Sequence, residues 1–166
     1  MVRALAGVEL PAVEQALGSP AYAGQHARRF GFQQRGKATY LIAWLGEEPL
    51  GHLLVRWGGA PRDDVPAALR QRPYLEAAAV LPEFQSRGVG TRLFGAVEAL
   101  APERGFCELG LAVGVENVRA RALYDRLGYL DAGSAPFRLT WSYTDAEGRP
   151  GIEGEDCPYM IKRLHG

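Results

Sequence analysis

The residues best suited to chemistry crowd into "VLPEFQSRGVGTRLF", residues 80–94, where an apolar run gives way to an amphipathic one. A helix begins with backbone N–H groups that have no partner inside it, and with a partial positive charge. An anion satisfies both if the backbone can approach it, and Gly88 and Gly90 remove the Cβ atoms that would stand in the way. The turn from Gln85 to Thr91 therefore reads either as a seat for phosphate oxygens, with Arg87 and Arg92 as charge partners, or as a plain tight helix start. It is not a nucleoside-triphosphate loop, because the Gly-Lys-Ser/Thr ending is missing. Nor is it a dinucleotide fingerprint, since no third glycine falls at the required spacing.

The elements that must position this turn are legible on both sides. A strand is expected from about Tyr74 to Val80, and a helix from about Gly88 to Arg104 with Val89, Leu93, Ala96, Val97 and Leu100 along one face. "FCELGLAV" is the next strand. "NVRARALYDRLGY" is a second amphipathic helix: Asn117 is its N-cap, Ala120, Leu123, Tyr124 and Leu127 share a face, and Gly128 ends it. Upstream, the first forty residues read as helical, with Val8, Val13 and Leu17, then Tyr22, His26 and Phe30, at helical intervals. Arg28, Arg29, Arg35 and Lys37 make this segment basic, in the manner of a solvated helix face. Two apolar runs, 38–45 and 50–57, joined by "GEEP", form an antiparallel hairpin, and "GGAPRDDVPAALRQRP" is a surface loop. The chain closes with two strand-like runs, "APFRLTWSYT" and "CPYMIKRL", separated by the acidic loop "DAEGRPGIEGED". Strands interleaved with helices imply a single mixed α/β domain over residues 1–166, built around one sheet.

Composition narrows the partners. Lys+Arg and Asp+Glu balance at 19 each, so no overall field draws the chain to nucleic acid or to an anionic membrane. A small-molecule or protein substrate is favoured. Cys107 and Cys157 lack paired spacing and are expected as buried, reduced thiols. His26, His52 and His165 are scattered, so no metal site is expected. No signal-peptide pattern or membrane-length apolar run is present in the sequence, which predicts a cytoplasmic protein.

The motif "V-x-P-E-x-Q-x-R-G-x-G" (80–90), followed in order by a helix, a strand and "N-x-x-A-x-x-L-Y-x-x-L-G-Y" (117–129), resembles the GNAT superfamily of acetyl-CoA-dependent N-acetyltransferases. The close resemblance covers about residues 75–132. It implies a central mixed, mostly antiparallel sheet flanked by helices, with a splayed strand pair at the cofactor site. It implies acetyl-CoA as co-substrate, with its pyrophosphate wrapped by Gln85, Ser86, Arg87, Gly88, Val89, Gly90 and Thr91. Main-chain groups near Ala79, Val80 and Leu81 would pair with the pantetheine arm, and the small side chains of "EAAAV" suit that role or, equally, a close-packed strand. Asn117 matches an asparagine that helps hold this arm. Tyr124 matches a tyrosine that donates a proton or a hydrogen bond to the departing thiolate.

The implied reaction is direct attack of a primary amine on the thioester in a ternary complex, without a covalent enzyme intermediate. Such an amine is mostly protonated at neutral pH, so a base should assist, and Glu76, sharing pleat parity with Ala78 and Val80, is the candidate. Ser86 departs from the glycine or basic residue of many members. The loop "PRDDVPAALRQR" and the late acids Asp145, Glu147, Glu153, Glu155 and Asp156 lie where members often build the acceptor pocket. Acid there would draw a polyamine, an aminoglycoside or a lysine-rich peptide, or it is a solvated hairpin tip. A small-molecule amine acceptor leads; a protein N-terminus or lysine, and a non-catalytic acyl-CoA-binding regulatory module, are the alternatives. The run "FRLTWSY" is a possible homodimer contact by analogy with relatives that pair through late strands.

Overall fold

Alternation along the first hairpin sets the architecture. Leu41 and Ala43 turn to one side of the sheet, Tyr40, Ile42 and Trp44 to the other, and both sets are buried. A strand buried on both faces needs a layer on each side, and the chain supplies helices for both. A computed structural model describes residues 1–60 and 65–165.

Nine strands and four helices follow in order among these residues. They are β1 (Val2–Ala4), α1 (Leu10–Leu17), α2 (Gln25–Gln34), β2 (Ala38–Leu45), β3 (Glu48–Arg56) and β4 (Tyr74–Val80). Then come α3 (Val89–Glu103), β5 (Glu108–Ala112), α4 (Val118–Arg126), β6 (Leu130–Asp131), β7 (Phe137–Thr144), β8 (Pro150–Cys157) and β9 (Tyr159–Arg163). Seven strands form one sheet in the order β1-β2-β3-β4-β5-β9-β6, antiparallel except for β4 beside β5, while β7 and β8 pair as a separate ribbon.

On one face, Leu93, Phe94, Val97 and Ala101 of α3 and Tyr124 of α4 pack on Leu41, Leu53, Val55, Leu75, Leu109 and Leu111. On the other face, Val13 of α1, with Leu10, Leu17 and Phe30, covers Tyr40, Ile42, Trp44 and Leu54. Fully burying such a side chain is worth about 1.5–3 kcal/mol each, so helix placement follows the apolar stripes. A third cluster, Val65, Leu69, Tyr74 and Tyr159, holds the loop before β4 in place; there Tyr159 Oη donates to the Leu69 carbonyl at 3.1 Å.

Three expectations are corrected. The first forty residues are not all helical: Val2–Ala4 pairs with β2, Val2 opposite Ala43, too short a strand to show a period. The segment "DAEGRPGIEGED" is mostly strand β8 rather than loop. Besides Pro150 its apolar side chains are only Ile152 and Cys157, so no apolar alternation marks it. Cys157 is buried, but Cys107 is exposed because it precedes β5 instead of lying within it.

Candidate active site

Pairing between β4 and β5 stops at Leu75 opposite Leu111, yet β4 continues to Val80. A bulge accompanies the parting. The register with β3 slips between His52 and Leu54, and Ala77 takes a φ of 57°, unusual for a residue with a Cβ. Beyond it, Ala78 and Ala79 are exposed and short, so the flank of β4 stays open.

This opening is a cleft of about 550 Å³ between the end of β4, the turn before α3, and α4. The turn holds two left-handed residues, Ser86 (φ 60°) and Gly88 (φ 79°), and Gly88 is the N-cap of α3. No side chain caps this helix among the described residues. The amides of Val89, Gly90 and Thr91 are first-turn donors without an intrahelical acceptor. The two glycines have different reasons. A Cβ on Gly88 would meet nothing within 4 Å, so its conformation is what matters. A Cβ on Gly90 would come within 3.1 Å of Leu123 Cδ2, so there the crossing of α3 and α4 matters.

Gln85 fastens the turn to the strand, donating from Nε2 to the Val80 carbonyl at 2.9 Å. The Leu81 amide donates to the Leu50 carbonyl at 2.9 Å. By the alternation of an antiparallel strand, it is then Val80 whose main-chain groups turn to the splayed side. Asn117 is both an N-cap and a cleft residue: its Oδ1 accepts from the Ala120 amide at 3.1 Å.

Tyr124 lies deeper, 9% exposed, with its ring 5.2 Å from Phe94 and 6.2 Å from Tyr129. Burial pushes its phenol up to about 12, and the hydroxyl has no hydrogen-bond partner among the described residues. It is therefore a protonated donor with no acceptor among the described residues.

Ala79, Val80, Gln85, Ser86, Gly88, Gly90, Thr91, Asn117 and Tyr124 thus line one cleft. Leu81, Arg87, Val89 and Glu76 do not. Leu81 is turned to β3, Val89 packs on the core, and Arg87 lies over the Phe84 ring at 5.7 Å. Glu76 is ion-paired to Arg56, whose guanidinium in turn covers Phe32 at 4.0 Å.

Two cleft residues escaped sequence reasoning, Arg119 and Arg126. Arg119 Nη2 donates to Ser86 Oγ at 3.0 Å, and no Asp or Glu lines the cleft among the described residues. Their signal was present as a second stripe on α4: Arg119, Ala122 and Arg126 recur at helical spacing beside the apolar one.

A second cavity of about 900 Å³ lies between the α1–α2 connection, α2 and the β7–β8 ribbon. Tyr22, Gln25, Arg28 and Arg29 line one side, and Trp141 and Tyr143 the other. Behind it is a buried polar cluster. His26 Nε2 donates to the Leu17 carbonyl at 3.0 Å, so its Nδ1 accepts from Tyr40 Oη at 2.6 Å. Burial, and then the Arg29 charge, hold His52 down at about 3, and its buried Nδ1 has no partner. Burial lowers His26 as well. A general base works best near the operating pH, so His52 is neutral but a poor proton acceptor.

Four of the five late acids, all but Glu155, bond within the ribbon. Asp145 and Glu147 pair with Arg149, Asp156 pairs with Arg138, and Glu153 accepts from Trp141 Nε1 at 3.2 Å. Of the loop "PRDDVPAALRQR", residues 61–64 lie outside the described residues; Ala67–Leu69 forms a short 3-10 turn.

Residues 10–129 match the model of the Acetyltransferase (GNAT) family. A segment of 62 residues is 39% identical to the thialysine N-epsilon-acetyltransferase of Bos taurus, covering 37% of this chain and 36% of the bovine enzyme. The chain thus matches about a third of that relative's length. Among solved structures, an N-acetyltransferase from Staphylococcus aureus Mu50 superposes with a TM-score of 0.69 at 15% identity, over 99% of this chain and 98% of the other. A phosphinothricin acetyltransferase of the same superfamily from Sinorhizobium meliloti, solved with acetyl-CoA, gives 0.68 at 18% identity over 99% and 88%. At these identities the structural likeness is one of fold.

Proposed function

The chain belongs to the GNAT acetyltransferase family, and from that premise we propose that it moves an acetyl group from acetyl-CoA to a primary amine of a small molecule. The observation that carries this is the cleft itself, with amide donors at its mouth and, among the described residues, arginines and no acids on its walls and an unpartnered tyrosine hydroxyl within. That set suits a long anionic ligand with a thiol end. The turn at 85–91 with Arg119 would hold the phosphates, Val80 and Asn117 the pantetheine arm, and Tyr124 the sulfur. The bovine relative is named for acetylating a nitrogen of an amino-acid-like amine, which fits the reading.

Acetyl-CoA supplies the activated acetyl group; the amine nitrogen bonds to its carbonyl carbon, the C–S bond breaks, and one proton leaves the nitrogen. Tyr124 donates a hydrogen bond to the departing sulfur. With the phenol at about 12 and a thiol near ~8.5, complete proton transfer to sulfur would be uphill by roughly 5 kcal/mol, so the hydroxyl stabilises charge and keeps its proton. Glu76 is the proposed base for the nitrogen, acting directly or through water, and must share its carboxylate with Arg56 to do so. The acceptor would enter from the opposite face, through the second cavity, a concave site of the size that small molecules fill.

A thiol-release assay with acetyl-CoA against a panel of amines tests the proposal. Sustained release that depends on the amine is expected; acetyl-CoA binding without turnover on any amine would favour a binding module.

A further inference from the structure

The second cavity carries its own chemical information. Arg28 and Arg29 both line it, and no acidic side chain does among the described residues. Neither arginine has an ion pair among the described residues, and the one side-chain partner of the Arg29 guanidinium there is the Tyr40 hydroxyl. Arg29 Nη1 is fully buried and has no hydrogen-bond partner. A buried guanidinium N–H without an acceptor is rare, and the group that fits its fork geometry is a carboxylate. Two carboxylates nearby have other partners: Glu14 accepts from the Ala27 amide at 3.0 Å, and Glu153 from Trp141 at 3.2 Å and from Tyr22 Oη at 3.5 Å.

Arg29 also connects this cavity to the reaction centre. Its charge reaches His52, and His52 sits opposite Ala79 of β4, which lines the cleft on the far side. A ligand held by Arg29 is thus held against the rear of the splayed strand. Tyr22, Trp141 and Tyr143 add aromatic walls for the ligand's body.

We propose that the acceptor is a small amine that also carries a carboxylate, an amino acid or a close analogue, and that Arg29, assisted by Arg28, recognises the carboxylate. This rests on the acetyltransferase reading and names its substrate class; the acetyl group moves by the same bond exchange. It reverses the expectation that acid near the ribbon would select a polycation, because Asp145, Glu147 and Asp156 are ion-paired to arginines of the ribbon.

The test uses matched amines that differ only by the carboxylate: lysine against cadaverine, and tyrosine against tyramine. In the thiol-release assay, the acid is expected to lead its decarboxylated partner by about tenfold or more in kcat/KM in at least one pair. In Arg29→Met that ratio should fall towards one; Arg28→Met, at an exposed position, should reduce it without threatening the fold. Equal or better kinetics for the decarboxylated member of every pair would overturn the proposal while leaving the acetyltransferase reading intact. Should no amine turn over, that reading fails and calorimetry decides this one. With CoA present, the acid should bind the wild type more tightly than its decarboxylated partner, and about tenfold more weakly to Arg28→Met. No difference between the members of a pair, or between the proteins, overturns it.

Discussion

Replacing Gly88 by alanine should cost both stability and cofactor affinity, whereas the same change at Gly90 should cost affinity alone. Gly88 caps α3 at a φ of 79°, where a residue with a Cβ is penalised by roughly 1–2 kcal/mol. Part of this is offset because alanine restricts the unfolded chain by about 0.4–1 kcal/mol. The net loss of about 1 kcal/mol corresponds to a Tm lower by ~2–4 °C in a chain of this length. Gly90 has an ordinary helical backbone, where alanine is favoured by up to about 1 kcal/mol. Against that stands a 3.1 Å approach to the flexible end of Leu123. The two effects nearly cancel, so Tm should hold. In both variants a methyl group stands beside amides assigned to phosphate oxygens. Losing one charge-assisted hydrogen bond of about 1.5–3 kcal/mol weakens CoA roughly 10–100-fold. Thermal denaturation and calorimetric CoA titration of the two variants make the comparison. Unchanged Tm and affinity in Gly88→Ala would refute the reasoning. An equal Tm loss in Gly90→Ala would show that the α3–α4 contact, not backbone conformation, governs the turn.

Tyr124→Phe should lower kcat by about 10²–10³-fold, the cost of losing one donor to developing charge, while CoA affinity and Tm stay near wild type, because the hydroxyl has no partner to lose among the described residues; unchanged turnover removes it from the mechanism. Glu76→Gln should lower kcat at neutral pH by a similar factor if Glu76 is the base, and wild-type kcat would assign that carboxylate to Arg56 alone. His52 titrates near 6.5 when unfolded and at about 3 when folded, so between those values the unfolded chain binds more protons. Its contribution to stability is therefore complete above that window and lost as pH falls through it. Urea midpoints at about pH 7 and pH 4 should differ less in His52→Gln than in the wild type; an identical pH dependence would show that His52 is not held neutral. Arg119→Met should weaken CoA about tenfold, with reduced salt dependence of the remaining affinity; an unchanged Kd and salt slope would place Arg119 outside the phosphate seat.

Much of the cleft between β4, α3 and α4 was legible because local rules and tertiary needs coincide there. The glycines at 88 and 90, the cap at Asn117 and the stripe that includes Tyr124 each follow from a helix end or a helix face. Residues whose role depends on a partner in space were harder to read. Arg119 and Arg126 were invisible while only the apolar face of α4 was followed. The bulge at Ala77 arises from pairing with β3, and nothing in three successive alanines marks it. Strand β8 carries few apolar side chains, Ile152 and Cys157 beside Pro150, so it lacked a pattern, and with it went one wall of the second cavity. Arg28 and Arg29 read as a solvated helix face because a guanidinium shows its burial only in three dimensions.

The most direct measurement is a single-turnover reaction with acetyl-CoA labelled in its acetyl group, followed by mass spectrometry of protein and amine together. The label should appear on the amine in step with free CoA thiol, at a rate that collapses in Tyr124→Phe, while the protein mass never changes. Label found on the protein, or CoA released with no labelled amine, would contradict direct transfer within the cleft.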